Sequence, residues 1–243
     1  TVKLANLVVK GRSIESAEAE LVAERGGITI KKLLVVKDED GAELEGKGTL
    51  SRNGDIALKL ASKKLTIASL DIAQLRHNMS ADLAFTADLG GTLTRPVGKA
   101  KIAFSDLIVR GVKQPNSDLD IDIKGDHATL RGQPFGPALA IDGRIELKKP
   151  FAFRGGASMN NFDFAALVPG MPARTTGEVS GKAEISGDAT NPASLRAKAE
   201  LSTLKTEVRG SYSVSNAMPV RISLEGKRLT VDSFQLTGRG TQL

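Results

Sequence analysis

The segment Asp118–Lys124, with the sequence DLDIDIK, places an apolar residue at every second position. Because successive side chains of a β-strand point to opposite faces of a sheet, this period of two is typical of a strand with one apolar and one polar face. The same alternation recurs at Ile56–Leu60, Arg144–Leu147, Arg196–Leu201 and Arg221–Glu225. Turn-forming residues separate the runs about every ten residues, as in Arg52–Asp55 (RNGD) and Lys148–Pro150. The sequence therefore predicts an all-β, largely antiparallel fold.

Three segments deviate from this pattern. Ser13–Glu24 is rich in Ala and Glu and has good helix propensity, but its apolar residues also keep a period of two. We expect a strand there because the neighbouring segments are strands. Ser69–Leu75 and Asn161–Gly170 each suit a short helical turn, the second one stopped by Pro169 and Gly170. The fold prediction therefore includes one or two short helical turns.

The composition narrows the chemistry of any apolar surface. The hydrophobic share is 40%, but the aromatic share is only 4% and there is no Trp, so such a surface must be aliphatic. The formal charge of +6 is spread over single and paired Lys and Arg residues, which favours a solvated sheet face. With no stacking aromatics beside the basic residues, we expect no nucleic-acid partner. The absence of Cys excludes disulfide and thiolate chemistry and fits the cytosol and the periplasm equally.

The sequence offers no catalytic or metal-binding pattern, and we expect neither an enzyme nor a cofactor. His77 and His127 lie far apart in the sequence and lack metal-ligand spacing, and no nucleophile elbow is present. Asp118, Asp120 and Asp122 resemble the start of a calcium loop. The glycine and the glutamate that such a loop requires are replaced by Ile123 and Thr129, so a solvated strand face is the preferred interpretation.

Internal repeats predict the architecture. Gly91–Pro96 (GTLTRP) recurs as Gly187–Pro192 (GDATNP), and upstream Asp71–Leu75 (DIAQL) recurs as Asp163–Leu167 (DFAAL). The offset of roughly 95 residues implies several strands in each repeat. We expect a single elongated β-repeat fragment with approximate repeat units at 1–75, 76–170 and 171–243. An open sheet that grows by adding units explains such repetition better than a closed barrel does.

An open sheet of this kind exposes one apolar face, and that face must be covered. Either the sheet folds over on itself as an ordinary closed core, or another apolar molecule fills it. No aliphatic run approaches the ~20 residues of a membrane helix. Because the first residues already have a strand pattern, we interpret the chain as a segment of a longer protein. The residues predicted to line an apolar groove are Ile56, Leu58, Leu60, Ile102, Phe104, Leu119, Ile121, Ile123, Leu139, Ile141, Ile145, Leu147, Phe151, Phe153, Leu201, Ile222 and Leu224.

The glycine-threonine-proline motif, the preceding DIAQL and DFAAL segments and the strand pattern resemble the TamB and AsmA-like proteins of the Gram-negative envelope. The resemblance covers nearly the whole chain and implies a U-shaped sheet, a β-taco, with an open hydrophobic groove. It also implies a middle fragment of a periplasmic protein that is anchored to the inner membrane and carries phospholipids to the outer membrane. The partners implied are phospholipid acyl chains and, through regions outside this fragment, an outer-membrane β-barrel of the TamA type.

Two alternatives remain at this point. The open strand edges could instead serve as a periplasmic scaffold for outer-membrane β-barrel proteins, by β-augmentation. The basic residues could meet anionic headgroups at the groove rim, or protect exposed sheet edges from wrong pairing. These basic residues are Arg95 and the pairs Lys31-Lys32, Lys63-Lys64, Lys148-Lys149 and Lys227-Arg228.

Overall fold

The computed structural model describes residues 1–9, 12–36, 42–66, 79–109, 111–165, 168, 171, 174–208, 212–238 and 241–242. Within these ranges the chain is all-β, and no helix is present. Each assigned strand pair is antiparallel, as the alternation predicts. The strands are β1 (Val2–Val9), β2 (Arg12–Glu24), β3 (Gly27–Val36), β4 (Glu43–Ser51), β5 (Ile56–Thr66), β6 (Met79–Thr92), β7 (Arg95–Val109), β8 (Val112–Lys113), β9 (Ser117–Lys124), β10 (His127–Gly132), β11 (Pro134–Pro137), β12 (Leu139–Glu146), β13 (Ala152–Asp163), β14 (Thr175–Asp188), β15 (Asn191–Val208), β16 (Tyr212–Asn216), β17 (Val220–Glu225), β18 (Arg228–Ser233), β19 (Leu236–Gly238) and β20 (Thr241–Gln242).

The chain forms two compact units. Unit 1 consists of Thr1–Leu107 with Asn116–Ala128, and unit 2 consists of Ile108–Pro115 with Thr129–Leu243. These units are defined by contacts in space, and the three repeat units predicted from the sequence stay a prediction.

Unit 1 is an antiparallel meander in which each strand from β1 to β6 pairs with the next one in the chain. The predicted turn at Arg52–Asp55 joins β4 to β5. The Ser51 amide donates to the Asp55 carbonyl across 2.9 Å, and Gly54 has a φ of +84°, which favours glycine. Farther along the chain, β7 pairs with β9.

Unit 2 repeats this antiparallel organisation. β12, β13, β14 and β15 pair in chain order, and β15 is long enough to pair with both β16 and β17. β17 also pairs with β18, β16 also pairs with β19, and β19 pairs with β20. The predicted turn at Lys148–Pro150 lies between β12 and β13.

The two copies of the repeated motif occupy equivalent places in their units. Gly91–Pro96 spans the turn from the 14-residue β6 to the 15-residue β7, and Gly187–Pro192 spans the turn from the 14-residue β14 to the 18-residue β15. A polar side chain stabilises each turn. Thr92 Oγ1 accepts the Arg95 amide at 3.1 Å, and Asp188 Oδ1 accepts the Thr190 amide at 2.7 Å.

The three ambiguous segments have different outcomes. Ser13–Glu24 lies within β2, which confirms the strand prediction over its helix propensity. Ser69–Leu75 lies outside the described residues. Strand β13 continues to Asp163, so the first residues of the helical turn predicted at Asn161–Gly170 belong to a strand, and much of its remainder is outside the described part of the chain.

Candidate functional site

The strand register of unit 1 places apolar side chains of adjacent strands on one common face. Residues directly opposite each other in an antiparallel pair lie on the same face. Ile28 of β3 lies opposite Leu50 of β4, which lies opposite Ile56 of β5. The set defined in this way, the unit 1 apolar face, comprises Ala17, Ala19, Leu21, Ala23, Ile28, Ile30, Leu33, Val35, Leu44, Gly46, Gly48, Leu50, Ile56, Leu58, Leu60, Ser62, Leu65, Leu83, Phe85, Ala87 and Leu89. None of these residues is charged.

The pair β7–β9 has the same arrangement. Ile102 lies opposite Leu119, Ala100 lies opposite Ile121, and the intervening residues of both strands are mainly Lys and Asp. A Cβ built on Gly98 of β7 would lie 2.9 Å from the Leu89 Cα of β6. β7 therefore approaches β6 closely at Gly98, and we call the unit 1 apolar face together with the apolar side of β7 and β9 the apolar surface of unit 1.

The opposite face of unit 1 carries the charges. Lys59 Nζ lies 3.2 Å from Asp88 Oδ2, on the strand that pairs with its own. Lys101 forms an ion pair with Asp118, and this hydrogen bond and charge raise the pKa of Lys101 above its usual value. Glu18 contacts both Lys3 and Lys32. Unit 1 therefore has one aliphatic face and one ionic face.

The unit 1 apolar face is only partly shielded from solvent. Ile56, Leu83 and Ala87 are buried, whereas Leu58, Leu60 and most of their neighbours are half-buried. Leu21 and Ile28 are 43% and 41% exposed. A closed core would bury such side chains nearly completely. Unit 1 thus retains aliphatic surface that its own side chains do not cover.

Unit 2 has an apolar face built by the same rule. Leu139 lies opposite Met159, Met159 opposite Gly181, and Gly181 opposite Leu201, which lies opposite Val220. The unit 2 apolar face comprises Leu139, Ile141, Gly143, Ile145, Phe153, Gly155, Ala157, Met159, Phe162, Val179, Gly181, Ala183, Ile185, Gly187, Ala197, Ala199, Leu201, Leu204, Val220, Ile222, Leu224, Leu229 and Val231. This set also contains no charged residue.

One end of the unit 2 apolar face is closed and the other is open. The closed part, here called the sealed end, is the buried cluster of Phe162, Val179, Leu201 and Val220. The ring of Phe135 covers it, with its centroid 5.6 Å from that of Phe162. The open end consists of Ile145, Phe153, Ile185 and Leu229. Ile185 is 42% exposed and Leu229 is 65% exposed.

The seventeen residues predicted to line a groove fall into three groups. Those of β5, β7 and β9 lie on the apolar surface of unit 1, and those of β12, β13, β15 and β17 lie on the unit 2 apolar face. Among the second group, Leu201 belongs to the sealed end, and Leu139 and Ile222 pack against it. Leu147 and Phe151 lie outside the strands, in the connection between β12 and β13.

Sequence reasoning missed the apolar residues of β2, β3, β6 and β14, which share the same two faces. Leu83, Phe85, Ala87 and Leu89 alternate within β6 as regularly as the residues of β9 do. The period of two could therefore have identified them. In β2 and β14 the apolar positions are largely Ala and Gly, which weakens the signal.

The basic residues considered for headgroup contact have mixed surroundings. Lys31 and Lys32 form ion pairs with Glu20 and Glu18. Arg95 lines a shallow cleft of about 560 Å³ together with Lys99 and Lys124. The pairs Lys148-Lys149 and Lys227-Arg228 are exposed at turns, and nothing is described for the side chains of Lys63-Lys64.

The residues considered for metal binding lie on a strand face and at a turn. Asp118, Asp120 and Asp122 lie along the ionic face of β9, where Asp120 and Asp122 oppose lysines. His127 Nδ1 lies 2.6 Å from Asp126 Oδ1 at a turn, and His77 is outside the described residues. Over the described ranges, no three His, Cys, Asp or Glu side chains are grouped closely enough to hold a metal ion.

Comparison of the chain with protein-family models, curated proteins and solved structures found no match. In the part of the chain that the structure describes, no helix has the length and apolar character to cross a membrane.

Proposed function

We propose that the apolar faces of this chain hold phospholipid acyl chains, as a segment of a periplasmic lipid carrier related to the TamB and AsmA-like proteins. In this proposal the full-length protein is anchored to the inner membrane and carries phospholipids between the inner and outer membranes. The chain has no catalytic role. The sequence resemblance supplies the biological setting, and the geometry of the two apolar faces supplies the physical argument.

The observation that supports the proposal most is the unit 1 apolar face. Its residues run from β2 to β6 without a charged side chain, yet Leu58, Leu60 and Ile30 remain half-buried and Ile28 is exposed. Covering aliphatic area stabilises by about 25 cal/mol per Å². A surface of this extent therefore favours an apolar ligand, and each methylene of an acyl chain that it covers contributes about 0.8 kcal/mol.

The chemistry of the face also suits transport. Contacts between aliphatic side chains and acyl chains are non-directional, so a lipid loses little when it moves by one strand spacing. Hydrogen-bonding groups would hold a ligand at one position. On the unit 1 apolar face, the hydroxyl group is that of Ser62, which is buried.

Photo-crosslinking tests this proposal with matched positions on single strands. A photoreactive residue at Leu58 or Ile121 should capture phospholipid, because both lie on the apolar surface of unit 1. The same residue at Lys59 or Asp120 should not, because these neighbours lie on the ionic face. Native mass spectrometry of the gently purified chain should show bound phospholipid that is lost after delipidation.

Equal lipid capture at Leu58 and Lys59 would contradict the proposal, because it would mean that lipid binds without preference for the apolar face. Capture of an unfolded outer-membrane β-barrel protein at strand-edge backbone positions, with no lipid at Leu58 or Ile121, would favour the scaffold function instead.

A further inference from the structure

Unit 2 carries a cleft of about 710 Å³, lined mainly by charged and polar residues that alternate along the strands with those of the unit 2 apolar face and form the ionic face of unit 2. Five cationic side chains contribute to its lining: Arg131, Arg144, Arg154, Arg196 and Lys198. We call this feature the arginine cleft. It lies entirely within unit 2, and β10, β12, β13, β14 and β15 contribute to it.

The strand register concentrates the arginines in one row. Arg144 of β12 lies directly opposite Arg154 of β13, which lies opposite Ser186 of β14, and Ser186 lies opposite Arg196 of β15. Neighbouring strands are about 4.8 Å apart. Arg144 and Arg154 are therefore one strand spacing apart, and Arg196 lies two spacings, about 10 Å, beyond Arg154 in the same row.

Most of these cations have no partner among the described residues. Arg144 Nε donates to Glu146 Oε1 at 3.0 Å, but Arg131, Arg154 and Arg196 make no side-chain hydrogen bond or ion pair there. Two carboxylates, Asp142 and Glu184, also line the cleft. Five cations against two carboxylates leave a net formal charge of +3 in the lining.

Some cations elsewhere on the ionic faces are paired with a carboxylate on the opposite strand. Lys59 has Asp88 at 3.2 Å, and Arg221 has Glu200 at 3.2 Å, each on the directly opposite position. Like charges directly opposite each other destabilise a sheet. Arg144 and Arg154 are opposed in this way, and a bound anion would offset the repulsion that Glu146 does not already neutralise.

The floor of the cleft lets a ligand approach closely. Gly156 supplies no side chain, and the row of Gly143, Gly155, Ile185 and Ala197 belongs to the apolar face on the other side of the sheet. The walls are formed by the long side chains. Among the residues that the structure describes, no aromatic side chain lines the cleft, so these residues offer no stacking surface for a nucleobase.

We propose that the arginine cleft binds a phosphate-bearing small molecule. Arginine side chains bind phosphate oxygens in bidentate pairs and stay charged at all physiological pH values. Clefts of about 300–1,000 Å³ are typical of small-ligand sites, so the volume leaves room for more than one inorganic phosphate. The site lies on the face opposite the proposed lipid surface and stands independently of it.

Calorimetric titration of the whole chain at physiological ionic strength tests this site. The two probes are inorganic pyrophosphate, which represents free phosphate, and dihexanoyl phosphatidic acid, a soluble lipid with a terminal phosphate. The test variant is Arg154→Gln with Arg196→Gln. The matched control, Lys182→Gln with Lys47→Gln, removes the same charge from exposed positions outside the cleft.

We expect at least one probe to bind, with an affinity that falls about tenfold or more in the arginine variant, as loss of charge-assisted hydrogen bonds implies. The control should stay within about twofold of the unchanged chain, since distant charges are screened. Binding of pyrophosphate alone identifies a free phosphate compound as the ligand, and binding of phosphatidic acid alone identifies a lipid headgroup.

Two results would overturn the inference. One is no binding of either probe to the unchanged chain. The other is an equal loss of affinity in the arginine variant and the lysine control, which would indicate general counterion attraction. Because Arg154 and Arg196 are exposed, both variants should unfold at the same urea concentration as the unchanged chain, and this measurement separates lost binding from lost folding.

Discussion

Strand β13 carries two phenylalanines on the same face of unit 2, in different surroundings. Phe162 is buried in the sealed end beneath Phe135, whereas Phe153 is half-buried at the open end, opposite Ile145 and Gly187. The alternation of the strand, together with the register shift between Met159 and Phe162, gives both residues the same orientation. What differs is whether another segment covers them, so facing the apolar side does not by itself make a residue part of a closed core.

This difference predicts unequal costs for the same substitution. Phe162→Ala should lower the free energy of unfolding by about 3–5 kcal/mol, because it leaves a cavity among Val179, Leu201 and Val220. Phe153→Ala should lower it by about 1–2 kcal/mol, since the ring already contacts solvent. Urea unfolding followed by circular dichroism measures both. Equal losses would mean that the open end is a closed core.

Glycine positions sharpen the comparison. Gly181 opposes Leu201 at the sealed end with a φ of +152°, and a Cβ there would lie 2.2 Å from the Glu200 carbonyl oxygen. Gly181→Ala should therefore cost about 1–3 kcal/mol through backbone strain. Gly143 lies toward the open end, where the nearest atom to such a Cβ is 3.5 Å away. Gly143→Ala should change stability by less than about 0.5 kcal/mol. If the two substitutions have similar costs in urea unfolding, the close approach at Gly181 is not maintained.

In unit 1, one substitution is expected to raise the free energy of unfolding instead of lowering it. Ser62 is buried between Leu44 and Phe85, and its hydroxyl has no hydrogen-bond partner among the described residues. Ser62→Ala should raise the free energy of unfolding by about 1 kcal/mol, because it removes a buried unsatisfied polar group. Ser80→Ala, at an exposed position of β6, is the control and should have little effect. A loss of stability in Ser62→Ala would reveal a polar partner for the hydroxyl.

The sequence was sufficient for the parts of the fold that depend on local pattern. The alternation of DLDIDIK predicts both the strand and its apolar side, and the repeated GTLTRP and GDATNP motifs both lie at strand-to-strand turns. The sequence did not show which parts of the apolar faces are covered by another segment. Val179 and Ile185 have the same orientation on β14, but the buried cluster containing Val179 is covered by Phe135, which is more than forty residues away in the sequence.

The arginine cleft was missed for a related reason. Arg144 and Arg154 stand ten residues apart in unremarkable alternating strands. They oppose each other only because the turn at Lys148–Pro150 sets the register of β12 and β13. A shift by one residue would place an arginine opposite a glycine. Such a juxtaposition depends on strand pairing, which composition and local alternation do not specify.

The smallest expected effect on stability concerns the ionic face of unit 1. Its side chains are solvated, unlike those of the sealed end of unit 2. The hydrogen bond and charge of Lys3, and then the charge of Lys32, hold the pKa of Glu18 below its usual value. Because the pKa in the folded chain is lower than in the unfolded chain, this contribution is present at neutral pH and lost as the pH falls through the lowered pKa.

Glu18→Gln should therefore reduce stability slightly at neutral pH and reduce the dependence of stability on pH in the acidic range. Exposed ion pairs contribute little and are screened by salt, so the effect should shrink further at high ionic strength. Glu24→Gln, at the exposed end of the same strand, is the control and should leave stability at neutral pH unchanged. A loss in Glu18→Gln as large as that in Phe162→Ala would mean that the ionic face is also covered, and the contrast between solvated and sealed surfaces would not hold.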